Sequence, residues 1–282
     1  MELGAKIAEG GSADIYEWGE GKILKLAKSK TSHYAMKREF DNHNMVRNLQ
    51  LPTVQVYEML SVDGRTGIVF EKFAGVTLLE LLMQDLTAAE LNRRKIKDHI
   101  QLFAQILHRI HQITKVNMPF TQRESLEYSI NQVEMITNEE KDHICQLLNT
   151  FPEKQCLCHG DLNPGNVMIG NDGHYVIIDW MDASLGNPEG DLAEFIVMMR
   201  RAVLPQDVPK RAVEVFDSMR EEIITIFMEE YTKLSGIAYE DVAPWLLPIT
   251  ARKLFATGIP EAEKQLLVQD VRKMLSEVQN RA

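Results

Sequence analysis

Two neighbouring runs carry most of the information in this chain: Leu157–Cys158–His159–Gly160–Asp161–Leu162–Asn163–Pro164–Gly165–Asn166 and Tyr175–Val176–Ile177–Ile178–Asp179–Trp180. Asp161 and Asn166 lie five residues apart in the first run, where Pro and Gly predict a loop. Asp179 follows an apolar segment in the second run, which is typical of a buried strand that holds the next side chain rigidly. The runs therefore predict two strands joined by a short loop, with two carboxylates and one amide at their ends.

These three side chains have the chemistry that a phosphoryl-transfer site needs. Mg²⁺ takes oxygen ligands from one or two carboxylates and the rest from phosphate and water. Phosphoryl transfer requires little more than that metal and a positioned hydroxyl group. We therefore predict an ATP-dependent kinase in which Asp161 accepts or orients the proton of the substrate hydroxyl. Asn166 and Asp179 would bind the Mg²⁺ ion. The alternative is that the segment from Asp161 to Asn166 is only a polar turn without a catalytic role.

The same residues resemble a family signature. The pattern His-x-Asp-x-x-x-x-Asn at 159–166, the Asp-Trp pair at 179–180 and Gly-Asn-Pro-Glu-Gly-Asp-Leu-Ala at 186–193 are similar to those of the aminoglycoside phosphotransferase and choline kinase superfamily. The resemblance extends from the loop near Gly10 to Ala193. It implies a two-lobed, protein-kinase-like α+β fold, with a small β-rich N-lobe containing one helix and a larger, mostly helical C-lobe.

The resemblance also implies a lysine that binds the α- and β-phosphates of ATP and pairs with a helix glutamate. Lys25, which is flanked by apolar strand residues, matches that lysine. A lysine on a half-buried strand needs a partner, and Glu39 is the candidate. Lys22 is the alternate for the lysine, and Asp41 is the alternate for its acidic partner. Otherwise Lys25 faces solvent and Glu39 pairs with a nearby lysine or arginine.

Two loops complete the predicted nucleotide site. Gly10, Gly11 and Ser12 lie between strand-like runs, and glycines let backbone N–H groups approach phosphate oxygens closely. This loop resembles the nucleotide loop of the family without its full Gly-x-Gly-x-x-Gly spacing, so a hairpin turn is the alternative. Glu71 and Phe73 resemble the hinge that contacts adenine through a backbone carbonyl and a backbone amide.

Departures from the protein-kinase pattern predict a small-molecule acceptor. Gly160 stands where protein kinases have an arginine that binds a phosphate group on the activation loop. Eleven residues separate Asp179 from Asp191, which leaves no room for a long activation segment. We predict the hydroxyl of an aminoglycoside or another amino sugar as acceptor. The alternatives are a metabolite kinase of the choline, homoserine or sugar-amine type and a non-catalytic nucleotide-binding scaffold.

Length and charge narrow the organisation and the partners. The 282 residues suffice for one large or two modest domains, and we predict lobes at 1–74 and 75–282. The net charge of −10 argues against nucleic acid and membrane as partners and is compatible with a cationic acceptor. No run approaches the roughly 18 apolar residues of a membrane span and no signal peptide is evident, so we predict a cytoplasmic protein. Some acidic residues could receive a polycation or form a solvated helix face: Asp182, Glu189, Glu194, Glu221, Glu222, Glu229 and Glu230.

Apolar periodicity and chain breakers predict the elements of the N-lobe. Residues 3–26 read as strands with turns, and residues 33–49 read as a helix. Residues 54–61 and 66–73 read as two strands around the hairpin turn Asp63–Gly64.

Helices predominate after Gly75. A capping box at Thr87–Ala88–Ala89–Glu90 predicts the start of a long helix, and residues 122–150 read as helical. Asp191 resembles the buried aspartate that ties the catalytic loop to the next helix, and it is also a good N-cap for that helix. Gly236 predicts a helix end within the helical residues after Leu192.

Cysteines and paired histidines have simple interpretations. Cys145, Cys156 and Cys158 are odd in number and lack zinc-like spacing, which predicts plain buried thiols. His108 and His111 lie on a helix otherwise full of core residues, so we expect packing rather than metal binding.

Overall fold

The computed structural model of the chain describes residues 3–88, 90–204 and 208–280, with only the backbone of Gln279. The chain divides into two compact units. The first unit consists of Met1–Leu79 and Asn163–Ala183, and the second of Glu80–Leu162 and Ser184–Ala282. Each unit combines two separate stretches of the chain, whereas the lobes predicted at 1–74 and 75–282 are each one continuous stretch. The nucleotide-binding and catalytic roles of those lobes stay predictions.

The strands pair antiparallel in three sheets. In chain order they are β1 (Lys6–Glu9), β2 (Ala13–Glu17), β3 (Lys22–Ala27), β4 (Val56–Val62), β5 (Arg65–Glu71), β6 (Gly75–Thr77), β7 (Cys156–Cys158), β8 (Val167–Gly170), β9 (Tyr175–Ile177) and β10 (Ser184–Gly186). The first unit contains a sheet in the order β1-β2-β3-β5-β4 and a second in the order β6-β8-β9. In the second unit, β7 pairs with β10.

Helices make up most of the second unit. The helices of the described chain are, in order, α1 (His33–Asn48), α2 (Leu78–Thr87), α3 (Arg93–His111), α4 (Gln122–Asn131), α5 (Asn138–Thr150), α6 (Pro188–Arg201), α7 (Lys210–Ser235), α8 (Tyr239–Val242), α9 (Leu246–Lys253) and α10 (Glu261–Gln279). The first unit holds α1, and α2 begins at the end of that unit. Among the helices described, none combines the length and the apolar character that a membrane crossing requires.

The predicted elements of the N-terminal region are confirmed. The helix expected at residues 33–49 is α1, which begins after Ser32, whose side chain accepts the N–H of Ala35. The hairpin expected at Asp63–Gly64 joins β4 to β5. Both turn residues have positive φ angles, 50° and 76°, as the tight hairpin turn requires.

Alternation along β3 determines which side chains face α1. Leu24 and Leu26 pack in one apolar cluster, while Ile23 and Ala27 belong to the cluster that includes a side chain of α1. Because successive strand residues point to opposite faces, Lys25 points to the same face as Ile23 and Ala27. The register of β3 therefore directs an ammonium group toward α1.

The predicted capping box at Thr87 is wrong. Thr87 is the last residue of α2, and its hydroxyl donates to the carbonyl oxygen of Met83 in the preceding turn. The next helix, α3, begins after Asn92, whose side chain accepts the N–H of Lys95. Ala89, inside the predicted box, lies outside the described residues.

The predicted N-cap role of Asp191 is also wrong. Helix α6 begins at Pro188, with Asn187 at the N-cap. Proline favours the first helical position because it has no N–H to satisfy there, so the helix starts earlier than expected and Asp191 lies inside it. The helix end predicted at Gly236 is confirmed, since Gly236 follows α7 with a φ of 80°.

Gly75→Ala is expected to destabilise the protein by about 1–3 kcal/mol, because the pairing of β6 with β8 has no room for a side chain. A Cβ atom at Gly75 would overlap the carbonyl oxygen of Ile169. Urea unfolding measures the effect. Gly10→Ala is the control, since its Cβ would lie 3.5 Å from the nearest atom, the carbonyl oxygen of Ala13. Equal midpoints for the two variants would contradict the prediction.

Candidate functional site

Lys25 lies at the centre of a partly buried cluster of charges in the first unit, in which the side chain of Asp179 is 34% exposed. Its Nζ donates to Oε1 of Glu39 at 2.6 Å and to Oδ1 of Asp179 at 2.9 Å. The side chain of Lys25 is 11% exposed and that of Glu39 is 1% exposed. The predicted pairing of Lys25 with Glu39 is therefore present, whereas Asp41 pairs with Lys37.

Both partners in this cluster have shifted pKa values. Burial opposes the charge on Lys25, but Asp179 and Glu39 outweigh burial and raise the pKa of the ammonium group. Burial raises the pKa of Glu39 to about 7, although Lys25 opposes the rise, and Asp179 adds to it. One ammonium thus faces two carboxylates, and either a proton on Glu39 or a bound cation relieves the repulsion between the carboxylates.

Asp179 and Asn166 are linked through the backbone next to β9. The N–H of Ile178 donates to the carbonyl oxygen of Asn166 at 3.0 Å. Asp179 itself has a left-handed backbone conformation, with φ 64° and ψ 59°. Few residues other than Gly, Asn and Asp adopt this conformation, so both backbone and side chain favour Asp here.

Asn42 of α1 holds the segment that follows Asp179. Its Nδ2 donates to the carbonyl oxygens of Trp180, Met181 and Ala183 at 3.1–3.2 Å. The sequence argument missed this residue. The sequence signal was only an amide on the same helix face as Glu39, three residues away, and the structure shows that this amide is fully buried.

The glycine loop between β1 and β2 forms a tight turn. The N–H of Gly10 donates to the carbonyl oxygen of Ala13 at 2.8 Å. The carbonyl oxygen of Ser12 accepts from the N–H of Lys28 at 2.9 Å and from the hydroxyl of Thr31 at 2.6 Å. The backbone thus has the hairpin form of the alternative interpretation, and phosphate binding by Gly10, Gly11 and Ser12 stays a prediction.

The segment predicted to contact adenine leaves the five-stranded sheet. Glu71 ends β5, and its N–H and carboxylate both bond to the backbone of Gln55. The N–H of Lys72 donates to the carbonyl oxygen of Gly21 at 2.9 Å. These bonds fix the backbone just before Phe73, and the adenine contact of Glu71 and Phe73 stays a prediction.

Asp161 lies in the second unit, on a loop fixed by Asp191. The buried Asp191 carboxylate accepts the N–H of His159 at 2.7 Å and of Gly160 at 3.0 Å. The N–H of Asp161 also lies 3.4 Å from Nδ1 of His159. Asp191 thus ties the loop to α6, as the resemblance implies.

A histidine and a tyrosine hold Asp191 in turn. Nε2 of His111 lies 3.1 Å from Oδ2 of Asp191, and Nδ1 lies 2.6 Å from the hydroxyl oxygen of Tyr231. The thiol of Cys158 lies in the same cluster, and burial raises its pKa, which disfavours the thiolate that a metal would need. His111 is buried, with Asp191 and Tyr231 as its partners. The prediction of buried thiols is confirmed for Cys158 and is wrong for Cys145 and Cys156, which are half-buried.

Acid sensitivity is expected from Asp191. Burial raises its pKa, but His111 and the N–H of His159 outweigh burial and lower the pKa below 3.8. The corresponding stability is fully present above the unfolded pKa and is lost as pH falls through the folded pKa. Asp191→Asn should cost about 2 kcal/mol near neutral pH and flatten the loss of stability below about pH 4.

Urea unfolding between about pH 3 and pH 6 tests this expectation. Asp142→Asn, on the exposed surface of α5, is the matched control and should keep the wild-type slope. A wild-type slope in Asp191→Asn would mean that another group causes the acid sensitivity.

Most acidic residues considered for a polycation already have partners within the second unit. The pairs are Glu189 with Lys154, Glu194 with Lys253, Glu221 with Arg200, Glu222 with Arg93, and Glu230 with Gln101 and Gln105. These carboxylates are therefore poorly suited to collect several positive charges from a ligand.

The predicted site residues fall in both units. The first unit contains Lys25, Glu39, Asn166 and Asp179, together with the glycine loop and the segment at Glu71 and Phe73. Asp161 belongs to the second unit. The loop between Asp161 and Asn166 passes from one unit to the other after Leu162.

Comparison with known proteins identifies a family for this chain. The profile of the phosphotransferase enzyme family matches residues 4–221. No curated protein matches the chain in sequence.

The similar solved structures include kinases of two kinds. The choline kinase LicA from Streptococcus pneumoniae has a TM-score of 0.64 at 17% identity, over 98% of this chain and 94% of that chain. An aminoglycoside-3'-phosphotransferase of type VIII has a TM-score of 0.61 at 17% identity, over 90% of this chain and 93% of that chain. A LicA structure in complex with AMP has a TM-score of 0.63 at 16% identity, over 97% of this chain and 92% of that chain. These similarities confirm the predicted kinase-like α+β fold.

Proposed function

Because the chain belongs to the phosphotransferase enzyme family, we propose that it transfers the γ-phosphoryl group of ATP to a hydroxyl group of a small molecule, with Mg²⁺. Membership confirms the resemblance and makes the chain an enzyme that transfers phosphoryl groups. The nucleotide, the metal, the acceptor and the residue roles are the proposal.

The observation that carries the proposal is the contact of the buried Lys25 with Glu39, which is buried, and with Asp179, which is partly exposed, at 2.6 and 2.9 Å. Buried charges are costly unless they are paired, so such a cluster needs a reason to exist. A lysine kept protonated and rigid can hold phosphate oxygens of a nucleotide. The AMP bound in one LicA structure supports a nucleotide as the donor.

The residues next to β9 suit Mg²⁺. Asp179 supplies a carboxylate and Asn166 an amide oxygen, both hard donors of the kind that Mg²⁺ selects. The presence of two carboxylates around the single ammonium of Lys25 also fits a bound cation. When bound, Mg²⁺ would neutralise charge on the phosphates of the nucleotide.

Asp161 would position the acceptor hydroxyl and receive its proton. Its loop is held by two backbone bonds to Asp191, so little reorganisation is needed when an acceptor binds. Retention of Asp161 together with Lys25, Asn166 and Asp179 argues against a non-catalytic scaffold, which would not need all four.

For the acceptor, an aminoglycoside or another amino sugar is the first candidate, supported by the net charge of −10. A metabolite with fewer positive charges, of the choline, homoserine or sugar-amine type, is the second. The engagement of Glu189, Glu194 and Glu221 in ion pairs favours this second candidate.

Coupled ADP release with Mg²⁺-ATP against a panel of aminoglycosides, choline, homoserine and amino sugars tests the proposal. Release that depends on one acceptor and disappears on chelation of Mg²⁺ is the expected result. Nucleotide binding without release for any acceptor would favour the scaffold. Absence of both binding and release would overturn the proposal.

A further inference from the structure

Helix α1 buries three polar side chains on one face in the first unit. Glu39, Asn42 and His43 follow one another at intervals that place them together, and none is more than 1% exposed. Burial of polar groups is costly, so a helix face with three of them calls for an explanation beyond packing. Of the three, only Glu39 has a place in the proposed function, through its contact with Lys25.

Asn42 holds the backbone that follows Asp179. Its Nδ2 lies within 3.2 Å of the carbonyl oxygens of Trp180, Met181 and Ala183. These residues form one short helical turn, in which the N–H of Ala183 donates to the carbonyl oxygen of Trp180 at 3.2 Å. The Oδ1 of Asn42 is buried and accepts no hydrogen bond within the described part of the chain. Its donor is therefore the part of this amide that the structure uses, at the cost of an unsatisfied oxygen.

A second set of bonds holds the end of β9, on the other side of the left-handed residue. The N–H of Ile177 donates to the carbonyl oxygen of Pro52 at 2.8 Å, and the hydroxyl of Thr53 donates to the carbonyl oxygen of Ile177 at 2.8 Å. The Nε2 of His43 lies 2.8 Å from the carbonyl oxygen of Val54 and joins this segment to α1. Helix α1 thus supports the chain on both flanks of the left-handed residue.

We infer that Asn42 is a positioning residue that turns the carboxylate of Asp179 toward a divalent cation bound with the nucleotide. The inference rests on the proposed function, because it presumes that Asp179 is a metal ligand. A left-handed residue other than glycine is strained and persists only where its surroundings fix it. The backbone of Asp179 determines where its carboxylate points, and Asn42 fixes the flank that lies outside the sheets.

Asn42 and Glu39 act on Asp179 in different ways. Glu39 is joined to the Asp179 carboxylate through the ammonium of Lys25, which donates to both. Asn42 instead holds the backbone next to Asp179. Loss of a group that orients a metal ligand typically lowers metal affinity by about 10- to 100-fold. Replacement of Asn42 should therefore weaken the metal-dependent part of nucleotide binding, whereas replacement of Glu39 should weaken binding with and without the metal.

Calorimetry of an ATP analogue with and without Mg²⁺ tests the inference. Asn42→Leu keeps the approximate size of the side chain and removes the donor. We expect the gain in affinity that Mg²⁺ provides to fall by about tenfold, while metal-free binding changes little. Asn44→Leu is the matched control, because Asn44 lies on the same helix and its amide donates to the carbonyl oxygen of Phe40 in the preceding turn. It should keep the wild-type gain.

Amide hydrogen exchange gives a second readout in the absence of nucleotide and metal. The N–H of Ala183 closes the turn that Asn42 holds, so it should exchange about tenfold faster in Asn42→Leu than in the wild type. The amides of β3 should keep their wild-type rates, which separates local release of the turn from a general loss of stability. Unchanged exchange at Ala183 would contradict the inference.

A milder variant decides the matter if Asn42→Leu does not fold. Asn42→Ser keeps a hydroxyl donor on a side chain that is too short to reach all three carbonyl oxygens. It should show smaller losses of the same kind in both measurements.

A folded variant at Asn42 that keeps the wild-type gain from Mg²⁺ would overturn the inference alone. An equal loss of affinity with and without Mg²⁺ would do the same, because Asn42 would then support the whole site rather than the metal ligand. If the wild type gained no affinity from Mg²⁺, the proposed metal site would be wrong, and the inference would fall with it.

Discussion

Asp161→Asn is expected to lower the turnover number by about 10²–10⁴-fold and to leave nucleotide binding nearly unchanged. The amide has the size of the carboxylate but cannot receive the proton of the acceptor hydroxyl. The bonds from His159 and Gly160 to Asp191 involve backbone N–H groups, so the loop should keep its conformation. Acceptor-dependent ADP release measures turnover, and calorimetry with an ATP analogue measures binding.

Asp172→Asn is the matched control for this change. Asp172 is an exposed aspartate in the turn between β8 and β9, and its replacement should leave turnover at the wild-type level. Full activity in Asp161→Asn would show that the loop at 159–166 does not supply the catalytic base. Equal losses in both variants would indicate a general effect of removing charge.

The family resemblance and local patterns in the sequence together predicted the pair formed by Lys25 and Glu39, with Lys22 and Asp41 as alternates. Alternation along β3 directs Lys25 to the face covered by α1. The helix predicted at residues 33–49 then offered Glu39 as a partner, and the structure joins them at 2.6 Å. The resemblance supplied the pairing itself, and strand and helix periodicity fix the faces on which the two side chains lie.

Contacts between residues far apart in the chain could not be found in this way. Asn42 donates to backbone carbonyls 138–141 residues further along the chain, and Lys253 contacts Glu194 at a separation of 59 residues. Such contacts depend on tertiary packing, which spacing along one element does not reveal. Both residues are polar, and their burial is visible only in the folded structure.

The failure at Thr87 has a different cause. A Thr followed three residues later by Glu forms a capping box only when the Thr precedes a helix. Thr121 and Thr137 do so and begin α4 and α5, whereas Thr87 ends α2 and bonds backward to Met83. The Thr-x-x-Glu pattern shows only that a cap could form. The apolar residues of α2 determine that the helix lies before Thr87 rather than after it.

Asp179→Asn is expected to remove most of the gain in nucleotide affinity that Mg²⁺ provides, while metal-free binding changes little. Alanine at this position would also strain the backbone, because the φ of Asp179 is 64°. Asparagine tolerates the left-handed conformation and keeps the size of the side chain, so it isolates the charge. Calorimetry with and without Mg²⁺ gives the two affinities, and we expect the metal-dependent gain to fall by about tenfold or more.

Glu39→Gln separates the metal role of Asp179 from its contact with Lys25. Both carboxylates accept hydrogen bonds from the Lys25 ammonium, but only Asp179 lies next to Asn166 through the backbone bond of Ile178. Loss of a lysine contact alone would weaken nucleotide binding equally with and without Mg²⁺, as we expect for Glu39→Gln. If Asp179→Asn showed that same metal-independent pattern, Asp179 would serve to hold Lys25, and the proposed metal site at Asn166 and Asp179 would be wrong.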